Sequence, residues 1–352
     1  MATKTTLQIV TDLSRKILAI GAMLLIGGIL LYTAINVGIA VKERLYPTPP
    51  PPPTVSFGKL PPITFPQQTN LPTFTYTINT ISGALPDLGD RAYIHKIVTV
   101  QPNLLALQNV EQSLQALNYN NQPVTISDTD YAWTNTDPLP KTLTVNIQTL
   151  NFKLTSNYTA DPTVLAAANL PDQPTAVTTA TDFLKALNAL PTDLNDNKTK
   201  VTLFAITNGV LIPASSLSQS QILRIDFFQN DVEKIPIYYS QPSSSPMYML
   251  LASSDTADPQ IVGAHFFHQP VDNSRATYPI ITAKQAVAAL QSGNAYIASY
   301  TPGVTNVTIR NISLGYYMSD TPQQYLMPIV VLQGDNNFFA YVSAVTDAWI
   351  AK

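Results

Sequence analysis

ILAIGAMLLIGGILLYTAINVGIAV, residues 17–41, is the stretch whose reading decides the architecture of this chain, because its 25 consecutive positions carry no charge. At about 1.5 Å of helical rise per residue, such a run exceeds the roughly 30 Å thickness of a bilayer core. The sequence therefore predicts a transmembrane helix over 17–41 in contact with membrane lipid. A cleaved signal peptide is the competing reading, since Gly38-Ile39-Ala40 has a small-x-small form, but the apolar run is longer than the roughly 7–15 residues of a signal-peptide core. Gly21, Gly27, Gly28 and the pair Ala34/Gly38 would let a second helix approach closely, which leaves a homo-oligomer possible.

Outward from this segment, Lys4, Arg15 and Lys16 precede it, whereas Lys42 and Arg44 follow it beside Glu43. The balance favours a cytoplasmic N-terminus. The expectation is a cytoplasmic tail over 1–16 and a C-terminal domain outside the cytoplasm, in the cell membrane of a single-pass protein. Five prolines, Pro49 to Pro53, followed by Pro61, Pro62 and Pro66, predict an extended polyproline II stalk over 42–66. At about 3.1 Å per residue, Tyr46 to Ser56 would span roughly 30 Å.

Composition narrows the function. The 352 residues carry 19 Lys+Arg against 22 Asp+Glu, and charged residues make up only 12%. Of these, five basic residues and two acids lie before residue 45, so the remainder holds 14 against 20 and is mildly acidic, near -6. No basic patch for nucleic acid is present. With no cysteine, disulfides, thiol nucleophiles and Cys-based metal sites are excluded.

Beyond the stalk, short alternating segments predict strands at Thr73–Ile78, Ala92–Val98, Thr142–Ile147, 151–154, Lys200–Ile206, Gln221–Phe228, Lys234–Tyr239, Val307–Tyr317, Leu326–Leu332 and Phe338–Val345. Helical spacing marks Leu104–Leu117 and Thr175–Leu190. A third helix opens at Thr282, where Gln285 completes a capping box. The expected fold class is α+β: a two-lobed ectodomain of antiparallel sheets with a few packed helices. Pro171-Asp172-Gln173-Pro174 suggests the inner boundary, giving a first lobe over 67–170 and a second over 171–352, the latter divided into 171–275 and 276–352.

Within the last module, Ala283-Lys284-Gln285-Ala286, Leu314-Gly315-Tyr316-Tyr317, Leu326-Met327-Pro328-Ile329-Val330 and Ala340-Tyr341-Val342-Ser343-Ala344-Val345 together resemble the PepSY class of extracytoplasmic modules and the related YycH/YycI accessory proteins of sensor kinases. That resemblance implies a regulatory module with a protein partner. Phe57-Gly58-Lys59-Leu60-Pro61 and Gly83-Ala84-Leu85-Pro86 resemble single-pass proteins of candidate-phyla (Patescibacteria) bacteria.

The sequence offers little catalytic chemistry. His265 and His268 have the spacing of helical metal ligands, but their apolar setting predicts a strand that sends the rings to opposite faces. Asp193 to Thr199 imitates the start of a calcium loop, yet Lys198 stands where glycine is required and Phe204 where the bidentate glutamate belongs. Asp226, Asp231 and Glu233 are expected as solvated acids of a hairpin. No Gly-x-Ser-x-Gly elbow and no phosphate loop is present. The reading is of no enzyme, no cofactor and no metal.

Five aromatic doublets stand out: Phe227-Phe228, Tyr238-Tyr239, Phe266-Phe267, Tyr316-Tyr317 and Phe338-Phe339. Adjacent strand residues face opposite sides, so both faces of each sheet need cover. An incompletely covered face would form an aromatic groove for a peptide, glycan or partner domain, with Tyr238, Tyr316 and Tyr317 as its candidate residues. The expected role is a non-catalytic interaction or regulatory module of the bacterial envelope, against the alternatives of a structural or adhesive surface protein or an envelope hydrolase.

Overall fold

A computed structural model describes residues 6–45, 52–135, 139–166, 169–252 and 259–351. It divides into two units, Met1–Pro52 and Pro53–Lys352. The first unit is one helix, α1 (Thr6–Leu45). Its stretch Arg15–Gly38 is long and apolar enough to cross a membrane, and none of it is buried by protein. A membrane anchor and a signal sequence both meet this description. The helix takes in much of the segment expected as a tail, because polar Thr11 and Ser14 interrupt nothing in the backbone ladder. Of the expected stalk, residues 46–51 lie outside the described residues.

The second unit is α+β and dominated by sheet. Its N-terminal half contains β1 (Thr75–Ile78), β2 (Arg91–Ile97), α2 (Ala106–Gln115), β3 (Val124–Thr125), β4 (Asp130–Asn135), β5 (Lys141–Asn146) and β6 (Phe152–Ser156). Next come α3 (Pro162–Ala166), α4 (Gln173–Ala186), β7 (Lys200–Thr207), β8 (Val210–Pro213), β9 (Ile222–Asp226), β10 (Ile237–Tyr238), β11 (Met247–Ala252) and β12 (Gln260–Phe266). The chain continues through β13 (Val271–Pro279), α5 (Ala283–Gln291), β14 (Tyr296–Ser299), β15 (Asn306–Tyr317), β16 (Tyr325–Gly334) and β17 (Phe338–Ser343).

These strands form two sheets. The nine-stranded sheet runs β3-β4-β5-β6-β12-β11-β9-β7-β8, with all its neighbours antiparallel. The eight-stranded sheet follows β1-β15-β16-β17-β14, with β10 on β15, and β2 joining β13 and β16. Strand pairing moves the expected division at 170/171, because Leu154 of β6 lies opposite Ala264 of β12 inside one sheet. The sheet boundaries fall after β2 and after β12. The nine-stranded sheet is thus built from a stretch inserted between β2 and β13 of the other sheet, and within that stretch only β10 returns to pair with β15.

Each helix covers a sheet for a local reason. In α5 the capping box is formed: Gln285 N donates to Thr282 Oγ1 at 3.3 Å and Thr282 N donates to Gln285 Oε1 at 2.8 Å. Ala283, Ala286, Val287 and Leu290 are buried at helical spacing against Val330, Leu332 and Ala340. Burying a Val or Leu side chain contributes about 1.5–3 kcal/mol, so this stripe, not helix propensity, holds the nine-residue helix in place. Asp172 caps α4 by accepting from Thr175 N at 2.9 Å, and Ala176, Ala180 and Leu184 join Val110 and Leu114 of α2 over the nine-stranded sheet.

The stalk ends sooner than its prolines suggest. Val55 N donates to Thr277 O at 3.0 Å, and Leu60 is fully buried beside Ile350. Phe57, Ile63 and Phe65 pack in the same segment. Apolar side chains interleaved with the prolines turn 55–65 into a strap across the eight-stranded sheet.

Candidate functional site

Where β5, β6 and β12 of the nine-stranded sheet approach the ends of β2 and the β15–β16 connection, a cleft of about 810 Å³ opens. This is within the roughly 300–1,000 Å³ range of ligand sites. The pairing of the strands places its floor. His265 of β12 lies opposite Lys153 of β6, and Lys153 opposite Thr144 of β5, so these side chains share one face of the sheet. The opposite face carries Phe152, Phe266, Leu143 and Val145 into the core.

A row of stacked groups runs along the open face into the cleft. The Arg224 guanidinium sits 3.7 Å from the Tyr248 ring centroid. Tyr248 and His265 are 6.0 Å apart at 29°, and His265 and Phe267 are 6.5 Å apart at 29°. All four are half-buried. Arg224 also holds Asp226 through two bonds of 2.8 and 2.9 Å. Asp226 is therefore a buried ion-pair partner within β9 and not the solvated turn acid expected, whereas Asp231 and Glu233 are engaged near the surface by Lys198 and Arg275.

The histidines are separately committed. His265 Nδ1 meets Pro246 O at 2.8 Å, and His268 Nε2 meets Asp193 Oδ1 at 2.7 Å. Burial pushes the Asp193 carboxyl up, but the His268 hydrogen bond and charge, helped by Gln229, outweigh it and hold the group below its ordinary value. Gln229 Nε2 donates to Asp193 Oδ2 at 2.9 Å and to Gln269 O at 3.1 Å, and Gln323 N donates to Gln269 Oε1 at 2.9 Å. This chain of amides ties the two sheets together behind the cleft. The supposed calcium loop is likewise occupied by its own contacts, with Asn195 accepting from Asn197 N at 3.1 Å. Among the described residues, no hydroxyl hydrogen-bonds either histidine ring.

The cleft wall alternates amides and apolar groups. Asn146, Gln148, Asn151 and Gln323 face it together with Val98, Val100, Pro102 and Phe267. Asn103 N donates to Gln148 Oε1 at 3.1 Å, which ties the loop after β2 to the turn after β5. That loop leaves Leu104 fully exposed and Leu105 59% exposed. Asp130 accepts from Ser127 Oγ at 2.6 Å, Thr129 Oγ1 at 3.2 Å and Asn146 Nδ2 at 3.1 Å.

The aromatic groove expected at Tyr238, Tyr316 and Tyr317 takes a different form. Tyr316 and Tyr317 are 0% and 2% exposed, and Tyr238 is half-buried. Gly315 is the reason for Tyr238: a Cβ there would lie 2.6 Å from the Tyr238 ring, so the missing side chain lets that ring lie flat on β15. Phe65 from the strap covers Tyr317 at 4.7 Å, and Tyr316 Oη donates to Tyr93 O at 3.0 Å. Burial raises the Tyr316, Tyr317 and Tyr341 hydroxyls far above their ordinary value. Tyr248, Phe267 and Lys153 line the open face instead; Phe267 stood in the doublet Phe266-Phe267, whereas Tyr248 and Lys153 had no distinguishing spacing in the sequence. Lys153 joins them only through its pairing with His265, more than a hundred residues away.

No family model matches this sequence, and no curated protein matches it. Among solved structures, an uncharacterised protein from Eubacterium rectale is similar at a TM-score of 0.33 and 14% identity, over 73% of this chain and 84% of that one. A likeness this slight carries neither fold nor function to the present chain.

Proposed function

We propose that this protein is a membrane-anchored, non-catalytic interaction or regulatory module of the bacterial envelope, with its N-terminus cytoplasmic and its sheet unit outside. One observation carries the reading: the apolar stretch Arg15–Gly38 of α1 has no protein cover. Exposed to water, such a surface is costly, and lipid is the solvent that suits it. The three cations Lys4, Arg15 and Lys16 before the uncharged run 17–41 support the orientation. The cleft, whose volume of about 810 Å³ is that of a ligand site, supports a binding role.

The test is extraction of the full-length protein from native membranes, chemical crosslinking and mass spectrometry. Resistance to alkaline carbonate and recovery of a defined membrane partner are expected. A mature chain beginning after Ala40 would instead mark the helix as a leader and remove the anchor.

A structural or adhesive role is the second reading. It is favoured by the free edges of the nine-stranded sheet, where Val124 of β3 and Val210 of β8 are 65% and 62% exposed. Recovery of large assemblies of this chain alone would move the conclusion there.

A further inference from the structure

His95 stands at a junction of three strands. β2 pairs with β13 on one side, where His95 lies opposite Arg275, and with β16 on the other, where it lies opposite Leu326. The residue is 5% exposed, and its Nε2 is buried with no hydrogen-bond partner among the described residues. Its ring is 5.8 Å from that of Tyr316, edge to face at 83°, and 6.3 Å from that of Tyr93. A proton on Nε2 would place a charge where no acceptor receives it.

The neighbouring charges do not supply one. Arg275 and Asp272 of β13 and Glu233 of the turn between β9 and β10 border the same small cleft as His95. Glu233 is paired with Arg275, and the Asp272 carboxylate accepts from Ser274 N at 2.6 Å. Lys96, the next residue of β2, lies over the Phe57 ring at 5.1 Å. The phenol of Tyr316 on β15 donates to Tyr93 O at 3.0 Å, and β16 opposes His95 with an apolar side chain. Burial holds the imidazole below its ordinary value; a bond to the Asp272 backbone opposes that shift, and the Arg275 charge reinforces it.

We propose that His95 is an acid-sensitive latch, which packs the β2–β13–β16 junction shut when neutral and loosens β2 when protonated. β2 runs on into Ile97 and Val98, which line the 810 Å³ cleft. Ile97 N donating to Gln324 O at 2.9 Å and Val98 N to Pro270 O at 2.8 Å fasten that end, so acid outside the cytoplasm slackens the cleft wall. The consequence for binding rests on the interaction-module reading; the latch itself needs no partner. Its sign follows from linkage: the unfolded chain takes up a proton near the unperturbed value of about 6.5 and the folded chain only lower. The stabilisation is therefore complete above that value and is lost as pH falls through the folded one.

Hydrogen exchange of the full-length protein in nanodiscs of uncharged lipid, corrected for the intrinsic pH dependence of exchange, tests the latch. From about pH 7.5 to about pH 5.5, protection of β2 and β13 should fall severalfold, with a ceiling of about tenfold set by the one unit below about 6.5. α4, on the other sheet, should keep its protection. His95→Gln, which does not titrate, should remove the fall, and His265→Gln should retain it. NMR of isotope-labelled histidine in the wild-type protein, assigned with His265→Gln and His268→Gln, reads the ring even where His95→Gln does not fold, with a midpoint expected below about 6.5. A midpoint at or above that value, no fall in β2, an equal fall in α4, or an undiminished fall in His95→Gln would each overturn the proposal. The interaction-module reading fails separately, through carbonate release or the absence of a crosslinked partner.

Discussion

The two sheets of the folded unit use aromatic residues in opposite ways. In the eight-stranded sheet, α5 closes one face and the strap 55–65 closes the other, so Tyr317, Phe338 and Tyr341 are buried. In the nine-stranded sheet, α2 and α4 close one face. Among the described residues, the other face is covered near α3 and β8, where Val164, Leu211 and the half-buried Tyr248 share a cluster with Ile222 and Leu250. Tyr248 sits at the edge of that cover, and beyond it His265 and Phe267 remain half-exposed, with Lys153 exposed opposite His265. The difference lies in what crosses each face and not in the strands themselves. An aromatic ring becomes core or binding surface according to a segment far away in the chain.

The deepest test of the closed sheet is Phe338→Ala. Phe338 is 1% exposed and edge-on to Phe74 at 5.5 Å and to Tyr76 at 5.8 Å, so its removal should cost about 3–5 kcal/mol, read from the urea midpoint. An unchanged midpoint would mean that the closed sheet does not carry the stability of the unit. Next in size, Gly315→Ala drives a Cβ to 2.6 Å from Tyr238 and 3.0 Å from Val331. A loss of about 1–3 kcal/mol is expected, accompanied by a change in tyrosine fluorescence as the Tyr238 ring is displaced. Wild-type stability with an unaltered spectrum would refute that close contact.

The open face should respond less. Tyr248→Ala removes a cation–π contact with Arg224 and a stack on His265, and about 1 kcal/mol should be lost. If it costs as much as Phe338→Ala, the contrast between the two sheets fails. The smallest effect at neutral pH is expected at Asp193, and it is better seen as a slope. Its folded carboxyl lies below the unfolded value of about 3.9. The stabilisation is therefore complete above that value and is lost as pH falls through the folded value. Acid titration of Asp193→Asn should show a shallower decline below about pH 4 than wild type. Parallel curves would show that the His268 contact contributes nothing to acid stability.

Much of the secondary structure was legible in the sequence. The cap at Thr282 and the alternation in 307–317 are local patterns, and local physics decided them. The candidate site was not. His265 and His268 were visible as a pair, but the meaningful neighbours of His265 are Lys153, Tyr248 and Phe267. Tyr316 and Tyr317 were visible as a doublet, but Phe65 and Gly315 determine what surrounds them.

The sequence by itself determined the apolar helix, the absence of cysteine chemistry and the mixture of strands and helices, because each follows from composition or from periodicity within a few turns. Only the tertiary structure decided where the sheets divide, which aromatic rings are covered and where the cleft opens. Those properties depend on pairings such as Phe152 with Phe266. Backbone hydrogen bonds between distant strands set that register, and no local pattern encodes the partner.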